Sequence, residues 1–361
     1  MDTPTTANRF AGDARPDRER WIATWLYTVV AMVFVMVVLG GVTRLTHSGL
    51  SMVEWRPITG WLPPMTHAEW VRVFELYKTF PEYKAFNQGM TLTEFEGIFW
   101  LEFLHRLWGR VIGVAFALPF VFFLVRGWVS RTLGVRLTGL FILGGLQGVM
   151  GWFMVKSGLV DEPDVSHYRL AAHLSLALLI VVVLIWVGRG LNAGLRERWQ
   201  TADRAAFSGL RRGAAAVLAL VFVTALSGAL VAGLDAGLSY NTFPLMDGAL
   251  IPDGLADLSP GYLNLFENRL TVQFDHRVLA ITTLLAVFAL WLAVRRRGAA
   301  GPARRAADLA MAVAALQVTL GISTLLLVVP VPLAAAHQAG AVALLASATW
   351  TLRDLCPPAA N

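Results

Sequence analysis

The chain has 361 residues, of which 56% are hydrophobic and 15% are charged. An ordinary soluble domain has about 25% charged residues. The lower charged fraction of this chain and its mean hydropathy of +0.59 exclude such a domain. The net charge of +6 could indicate nucleic-acid binding, but the basic residues cluster between long apolar runs, where membrane topology explains them. We therefore expect a membrane as partner and no nucleic acid. The single cysteine, Cys356, excludes an intramolecular disulfide.

The long apolar runs predict transmembrane helices, because about 20 apolar residues cross a hydrocarbon core of about 30 Å as a helix. The predicted fold class is an all-α polytopic membrane protein of about eight transmembrane helices, arranged as two pseudo-symmetric four-helix bundles. In chain order the predicted spans are Trp21–Gly41, Leu104–Val125, Leu133–Val155, Leu170–Val187, Ala214–Leu234, Leu270–Val294, Leu309–Val329 and Leu333–Leu352.

The loops between these helices differ in charge. Arginine is concentrated in the N-terminal tail (1–20), in alternate loops and at the C terminus, so the positive-inside rule places both termini in the cytoplasm. The opposite side carries a large outer loop (42–103), with a surface helix from Ala68 to Lys78, and a second outer loop at about 235–269. The acidic residues of the tail fit neither a signal peptide nor a transit peptide. We therefore expect the inner membrane of a bacterium.

The chain repeats itself. Glu-Phe-Leu-His-Arg at 102–106 resembles Gln-Phe-Asp-His-Arg at 273–277, and Leu-Ala-Ala-His at 170–173 resembles Ala-Ala-Ala-His at 334–337. Two units of four helices with the same orientation, related by a pseudo-twofold axis along the membrane normal, explain this pattern.

The repeat predicts the domain organisation. An N-terminal half (21–190) contains the large outer loop and is joined by a cytoplasmic linker (191–212) to a C-terminal half (213–355).

Four of the seven histidines lie in the even-numbered predicted helices, a few residues from the outer end of each. They are His105, His173, His276 and His337. Helix–helix hydrogen bonds are one explanation for an intramembrane histidine. Four at one depth favour a metal function, and paired histidines across a four-helix bundle suit a six-coordinate haem. Zinc or copper is less favoured, because no acidic or thiol ligand recurs beside all four.

Glu102 lies three residues before His105 and therefore on the same helix face. The second half has Gln273 at the corresponding position, and glutamine cannot ionise. This difference predicts that one half carries out chemistry while the other holds a permanent cofactor. The alternative is a structural ion pair of Glu102 with Arg106 or Arg110.

Arginines accompany the histidines. Arg106 and Arg277 directly follow His105 and His276, and Arg169 precedes His173 by four residues. Haem propionates are anionic, and arginine binds carboxylates bidentately. These arginines are therefore candidate propionate partners, with snorkelling to the membrane interface as the alternative.

The chain resembles the haem A synthases, of the longer type found in mitochondria and alphaproteobacteria, over essentially its whole length. The motifs that carry the resemblance are Gly-Gly-Val-Thr-Arg-Leu-Thr at 40–46, Glu-Trp-Arg-Pro-Ile-Thr-Gly at 54–60, Glu-Phe-Leu-His-Arg at 102–106, Asn-Thr-Phe-Pro-Leu-Met at 241–246 and Phe-Asp-His-Arg at 274–277.

The resemblance implies specific roles. His276 and His337 would hold a haem b cofactor, His105 and His173 would bind the substrate haem o, and Glu102 would be catalytic. The reaction would oxidise the C8 methyl group of haem o to formyl, giving haem a for haem–copper oxidases, with oxygen from water. Some relatives carry a cysteine pair in the first outer loop, which this chain lacks.

The implied partners are a haem O synthase, oxidase-assembly factors and an electron acceptor that the sequence does not identify, and the chain could form a homo-oligomer. Two other functions explain part of the pattern. A di-haem cytochrome b electron-transfer subunit accounts for the four histidines but not for Glu102. A haem transporter accounts for the parallel repeat, although its site would lie nearer the membrane midplane.

Overall fold

The structure is a computed structural model that describes residues 9–54, 59–158, 165–192, 207–297 and 301–357. Most of the predicted linker (191–212) and the start of the predicted tail (1–20) lie outside these residues. Within them the chain is helical, with an isolated β-bridge between Met246 and Ala249 and no strand.

Eight helices of the described residues are long and apolar enough to cross a membrane, as predicted. Three shorter helices lie in the loops between them. In chain order the helices are α1 (Arg9–Leu45), α2 (His67–Lys78), α3 (Pro81–Phe86), α4 (Leu92–Val125), α5 (Arg131–Gly158), α6 (His167–Gly190), α7 (Ser208–Gly233), α8 (Asn264–Glu267), α9 (Arg269–Arg296), α10 (Pro302–Leu326) and α11 (Val331–Asp354).

The surface helix predicted at Ala68–Lys78 is confirmed by α2, but the predicted start of the second spanning helix is wrong. Helix α4 begins at Leu92 rather than at Leu104. Thr91 caps it in a reciprocal capping box with Glu94, which satisfies backbone N–H groups at the start of the helix. The predicted outer loop 42–103 therefore ends earlier, and His105 lies well inside its helix rather than near its start.

The first turns of α4 are held by a cluster of aromatic side chains. Its buried members are Phe74, Tyr77, Phe95, Phe99 and Phe103. The Tyr77 hydroxyl donates to Glu82 (3.1 Å) and accepts from the Asn87 amide (2.7 Å). Burial, with the Glu82 carboxylate beside it, raises the pKa of the Tyr77 phenol. The cluster fixes α2 onto α4 one turn before Glu102.

Each half closes into a ring of four helices. In the N-terminal half α1 packs against α4, α4 against α5, α5 against α6, and α6 against α1. In the C-terminal half the ring runs through α7, α9, α10 and α11 and back to α7. Helices α4 and α6 are therefore diagonal partners in one ring, and α9 and α11 are diagonal partners in the other.

The two rings meet along three helix pairs, α1 with α11, α6 with α7, and α6 with α11. At the contact of α6 with α11, the Arg189 guanidinium lies 5.2 Å from the Trp350 ring and the Arg353 guanidinium lies 5.1 Å from the Trp186 ring. Such an exchange of identical contacts is what a twofold axis between these helices produces. The pseudo-twofold itself stays a prediction.

Candidate functional site

Each of the four predicted histidines packs its imidazole against a glycine of a neighbouring helix. A Cβ added at Gly40 would lie 2.7 Å from Cε1 of His105, and one at Gly228 would lie 3.0 Å from Cε1 of His276. These distances are shorter than a carbon–carbon contact allows, so only glycine lets the ring approach its neighbouring helix this closely.

The other two histidines have the same arrangement. A Cβ at Gly151 would lie 3.2 Å from Cε1 of His173, and one at Gly321 would lie 2.8 Å from Cε1 of His337. The four glycines lie near the C-terminal ends of α1, α5, α7 and α10. All four histidines therefore lie toward one end of the molecule, which we call the histidine end.

The sequence prediction missed these glycines as histidine contacts. The signal was present, because Gly40 corresponds to Gly228 and Gly151 to Gly321 in the same repeat that relates the histidines.

The histidines form two pairs, one in each ring. His105 lies close enough to His173 for the charges of their imidazoles to interact, and the same holds for His276 and His337. Because each pair comes from diagonal helices, its two imidazoles approach the bundle interior from opposite sides. This arrangement suits axial ligation of a flat tetrapyrrole from both faces. Among the described residues, no three His, Cys, Asp or Glu side chains come together as a metal-ion site.

His276 has a hydroxyl neighbour at its Nδ1 atom. The Ser227 oxygen lies 2.8 Å from Nδ1 of His276 and 2.8 Å from the Thr224 carbonyl oxygen. In the tautomer in which Nδ1 donates to this oxygen, Nε2 carries the lone pair that binds a metal. A histidine that donates its other nitrogen to a neighbouring oxygen is typical of metal ligands. The residues present therefore fit an iron-bound tetrapyrrole, and Ser227 is a candidate functional residue that the sequence did not indicate.

The N-terminal pair lacks this support. Nδ1 of His105 and Nδ1 of His173 are buried without a hydrogen-bond partner among the described residues, and so is Nδ1 of His337 in the C-terminal pair. Gln147 of α5 donates to the His173 carbonyl (3.2 Å), and its amide nitrogen lies 3.4 Å from Nε2 of His173. Buried polar atoms without a partner cost free energy, and such atoms are expected where a ligand completes the site.

Glu102 of α4 is 2% exposed. Its hydrogen bonds connect α4 with the segment that follows α1. Its Oε2 accepts the Ser51 hydroxyl (2.7 Å) and the Met52 backbone N–H (2.7 Å), and its Oε1 forms an ion pair with Arg106. Arg106 also donates to the carbonyls of Met52 (2.9 Å) and Glu54 (3.3 Å). The sequence alternative in which Glu102 pairs with Arg106 is thus confirmed as a contact.

The C-terminal half has the same fastening without the charge. Gln273 donates to the carbonyls of Ala236 (2.9 Å) and Tyr240 (3.2 Å). Arg277 donates to the carbonyls of Tyr240 (2.9 Å) and Thr242 (2.8 Å), which correspond to Met52 and Glu54. The pairs Glu102–Arg106 and Gln273–Arg277 therefore occupy equivalent places, but the Glu102 carboxylate accepts hydrogen bonds where the Gln273 amide donates them.

The arginines predicted as propionate partners already have other contacts. Arg106 and Arg277 bind the backbone carbonyls just described, and the Arg169 guanidinium lies 4.8 Å from the Phe153 ring of α5. The Nε of Arg277 is buried and has no hydrogen-bond partner among the described residues.

These features define a class: a polytopic membrane protein that presents two diagonal histidine pairs, each in its own four-helix ring. The chain matches the COX15-CtaA family, described as cytochrome oxidase assembly protein, over residues 23–349. The chain belongs to this family, and the resemblance to the haem A synthases is confirmed.

Relatives from bacteria and a plant match most of the chain. It is 53% identical to the Heme A synthase of Nitrosospira multiformis, covering 92% of this chain and 93% of that protein. It is also 53% identical to the Heme A synthase of Parvibaculum lavamentivorans, covering 92% of this chain and 94% of that protein. The Heme A synthase COX15 of Arabidopsis thaliana is 46% identical over 91% of this chain and 73% of its own length.

Proposed function

We propose that this chain is a haem A synthase that oxidises the C8 methyl group of haem o to a formyl group. The observation that carries the proposal is the presence of two histidine pairs, each set between diagonal helices and packed on glycines. The names of the relatives support the same activity. The product, haem a, would serve the assembly of haem–copper oxidases, in agreement with the family description.

The two histidine pairs have different roles in this proposal. His276 and His337 hold a resident haem b, and Ser227 supports this assignment because its oxygen lies 2.8 Å from Nδ1 of His276, where it can accept the proton of the tautomer that ligates through Nε2. His105 and His173 bind the iron of haem o. When bound, the haem b supplies one-electron redox chemistry that carries substrate electrons to an acceptor.

Glu102 is the candidate catalytic group. Arg106, Ser51 and Met52 all donate to its carboxylate and hold it in one position. A fixed negative charge can stabilise positive charge that develops on the methyl carbon as electrons are removed, or accept a proton from the attacking water. Gln273 can do neither, which agrees with a C-terminal half that only carries electrons.

The arginines have a proposed role as well. Arg106, Arg169 and Arg277 would bind haem propionates, because a guanidinium pairs bidentately with a carboxylate.

The remaining assignments follow from the activity. The chain would lie in the inner membrane of a bacterium with both termini in the cytoplasm, which puts the histidine end on the outer side. A haem O synthase would supply the substrate, and oxidase-assembly factors would receive the product. The electron acceptor is a further partner, and a homo-oligomer is compatible with the fold.

A di-haem electron-transfer subunit is the second candidate function. Glu102 and Gln273 each hydrogen-bond the loop after the first helix of their half, so a structural role explains Glu102 as well. The test is extraction and chromatography of the haems from a strain that makes haem o, with and without this chain. A haem A synthase produces haem a only in the strain that contains the chain. Haem o with no haem a in both strains would reject the synthase and leave the electron-transfer function.

A further inference from the structure

We propose that a groove between α7 and α9 binds one anionic phospholipid, with an acyl chain along the groove and the phosphate at Arg297. The α7–α9 groove has a volume of about 400 Å³. The lining residues that carry the argument are Gly209, Gly213 and Ala216 of α7 and Ala289, Ala293 and Arg297 of α9. Ala216 and Ala289 are exposed, so the groove opens on the outer surface of the C-terminal ring, which faces lipid in a membrane. The proposal is independent of the proposed function.

The α7–α9 groove has the length of one membrane leaflet. Its lining on α7 runs from Gly209 to Leu220, which is about 16 Å of helix, and the hydrocarbon of one leaflet is about 15 Å thick. Gly209 lies in the first turn of α7, and Arg297 directly follows the last turn of α9. The groove therefore begins at the membrane interface, at the end of the molecule opposite the histidine end, and runs toward the midplane as an acyl chain does.

An indole fills the equivalent place between α1 and α4 in the N-terminal ring. The repeat aligns Trp25 of α1 with Gly213 of α7. The Trp25 ring packs on the rings of Phe116 and Phe123, with centroids 4.9 and 5.5 Å apart. In contrast, a Cβ added at Gly213 would meet only Leu290, at 3.7 Å. The C-terminal ring thus leaves open a space that the other half fills with its own side chain.

The arginine at the mouth of the groove also differs between the halves. A Cβ added at Gly209 would lie 3.0 Å from Nη1 of Arg297, so the guanidinium lies against the start of α7. The repeat aligns Arg297 with Arg126. The Arg126 guanidinium lies 5.7 Å from the Phe122 ring and 5.8 Å from the Trp128 ring. Aromatic side chains of its own half therefore engage Arg126, whereas Arg297 borders the open groove.

Positive charge at the mouth selects an anionic head group. Arg211 and Arg212 lie in the first turns of α7, and Arg296 ends α9 next to Arg297. In the part of the chain that the structure describes, none of these four arginines forms an ion pair with a carboxylate. Basic pockets between transmembrane helices bind anionic phospholipid head groups. A phosphate at Arg297 would complement this charge while its acyl chain fills the groove.

Two other occupants agree less well with the charge. A second copy of this chain would stand level with the first in the membrane, so its arginine-rich end would meet this one, and like charges oppose such a contact. A neutral lipid would use the apolar lining alone. The smaller groove beside α4, of about 290 Å³ and covered by Trp61, offers such a lining, since its described residues are all apolar. Only the α7–α9 groove combines apolar space with an arginine.

The test is native mass spectrometry of the purified, delipidated full chain, titrated with phosphatidylglycerol or with phosphatidylcholine of the same acyl chains. We expect one phosphatidylglycerol to bind at least tenfold more tightly than phosphatidylcholine. The variant Gly213→Trp places the indole of the N-terminal half in the groove and should weaken phosphatidylglycerol binding at least tenfold. Val223→Trp is the matched control, because Val223 lies on the same helix, is 48% exposed and does not line the groove.

The variant Arg297→Gln tests the head-group contact separately. We expect it to lower the affinity for phosphatidylglycerol to that for phosphatidylcholine and to leave phosphatidylcholine binding unchanged. Arg126→Gln is its matched control, since Arg126 holds the equivalent place in the half whose groove an indole fills.

Equal affinity of the wild-type protein for the two lipids would overturn the proposal, as would unchanged phosphatidylglycerol binding in both groove variants. If Gly213→Trp does not fold, Ala216→Leu decides by the same measurement: tenfold weaker binding supports the groove, and unchanged binding rejects it. A wild-type oligomer without lipid preference that Gly213→Trp dissociates would assign the groove to a second copy of the chain instead. Haem does not enter this measurement, so its failure leaves the proposed function untouched.

Discussion

At the scale of single residues, the chemistry of the two halves differs by one carboxylate and one hydroxyl. Glu102 replaces the amide of Gln273, and Ser227 gives His276 a hydrogen-bond partner that His105 lacks. The Glu102 difference could be predicted from the sequence, because the repeat aligns the two residues. The Ser227 contact could not, because it joins residues of two helices and depends on the rotation of both.

Replacing Glu102 with Gln keeps the shape of the side chain and removes its charge. We expect haem a formation to fall by about 10²–10⁴-fold, the usual range for loss of a general base or a charge stabiliser. Haem o or a partly oxidised hydroxymethyl form accumulates, while resident haem b stays. The measurement is haem extraction from a strain with the variant as its only copy. The control is Glu75→Gln, because Glu75 forms an exposed pair with Lys78 (2.7 Å) and the variant should stay within a few-fold of wild type. Near-normal haem a in Glu102→Gln would leave this residue with a structural role only.

Replacing Ser227 with Ala removes the acceptor of the Nδ1 proton of His276. The imidazole becomes a weaker electron donor to iron, so we expect the midpoint potential of haem b to rise and its affinity to fall by about 10–100-fold. Redox titration of the purified protein measures the first effect. Ser175→Ala is the control, because the Ser175 hydroxyl donates only to the Ala171 carbonyl of its own helix (2.6 Å). An unchanged potential in Ser227→Ala would mean that this contact does not orient an iron ligand.

At the scale of helices, close approach of backbone and imidazole determines where the histidines lie. The eight spans could be predicted because long apolar runs can only be satisfied as helices in lipid. The start of α4 could not, because Glu94 and Glu96 interrupt its apolar pattern, and the aromatic cluster that holds its first turns is a tertiary feature. The contacts between glycines and histidines also required the structure, since glycine is common in membrane helices for other reasons.

A methyl group at Gly321 would push against the ring of His337. We expect Gly321→Ala to lower haem b content at least several-fold, because overpacking of a tight contact costs about 1–3 kcal/mol and displaces the ligand. Gly213→Ala is the control, since a Cβ at Gly213 would meet Leu290 at an ordinary distance of 3.7 Å. Haem b at the wild-type level in Gly321→Ala would show that His337 can bind without this close contact.

At the scale of the whole molecule, charged pairs join the two rings. Arg44 of α1 binds Asp235 beyond α7 (2.7 Å), and Arg189 of α6 forms two bonds with Asp354 of α11 (2.6 and 2.9 Å). The sequence indicated two units but not their contact, because neither arginine lies near its partner in the chain. The reciprocal contacts of Arg189 with Trp350 and of Arg353 with Trp186 could be recognised only once the helices were placed.

The Arg189–Asp354 pair is buried, and the side chain of Asp354 is 0% exposed. We expect Arg189→Ala to lower the free energy of unfolding by about 3–5 kcal/mol, because it leaves a buried carboxylate without its partner. Thermal unfolding of the purified protein in detergent measures the change. Arg72→Ala is the control: the pair of Arg72 with Glu54 is exposed (52% and 36%) and should contribute no more than about 1 kcal/mol. Equal effects of the two variants would contradict a buried bond between the halves.

The central claim is that the two histidine pairs hold two different haems, a resident cofactor in the C-terminal ring and a substrate in the N-terminal ring. The most direct measurement is the haem composition of purified His173→Ala and His337→Ala proteins from a strain that makes haem o. We predict that His337→Ala loses haem b, whereas His173→Ala keeps haem b, loses haem o and forms no haem a. Loss of haem b from His173→Ala, with haem b retained in His337→Ala, would reverse the assignment of the halves and contradict this account.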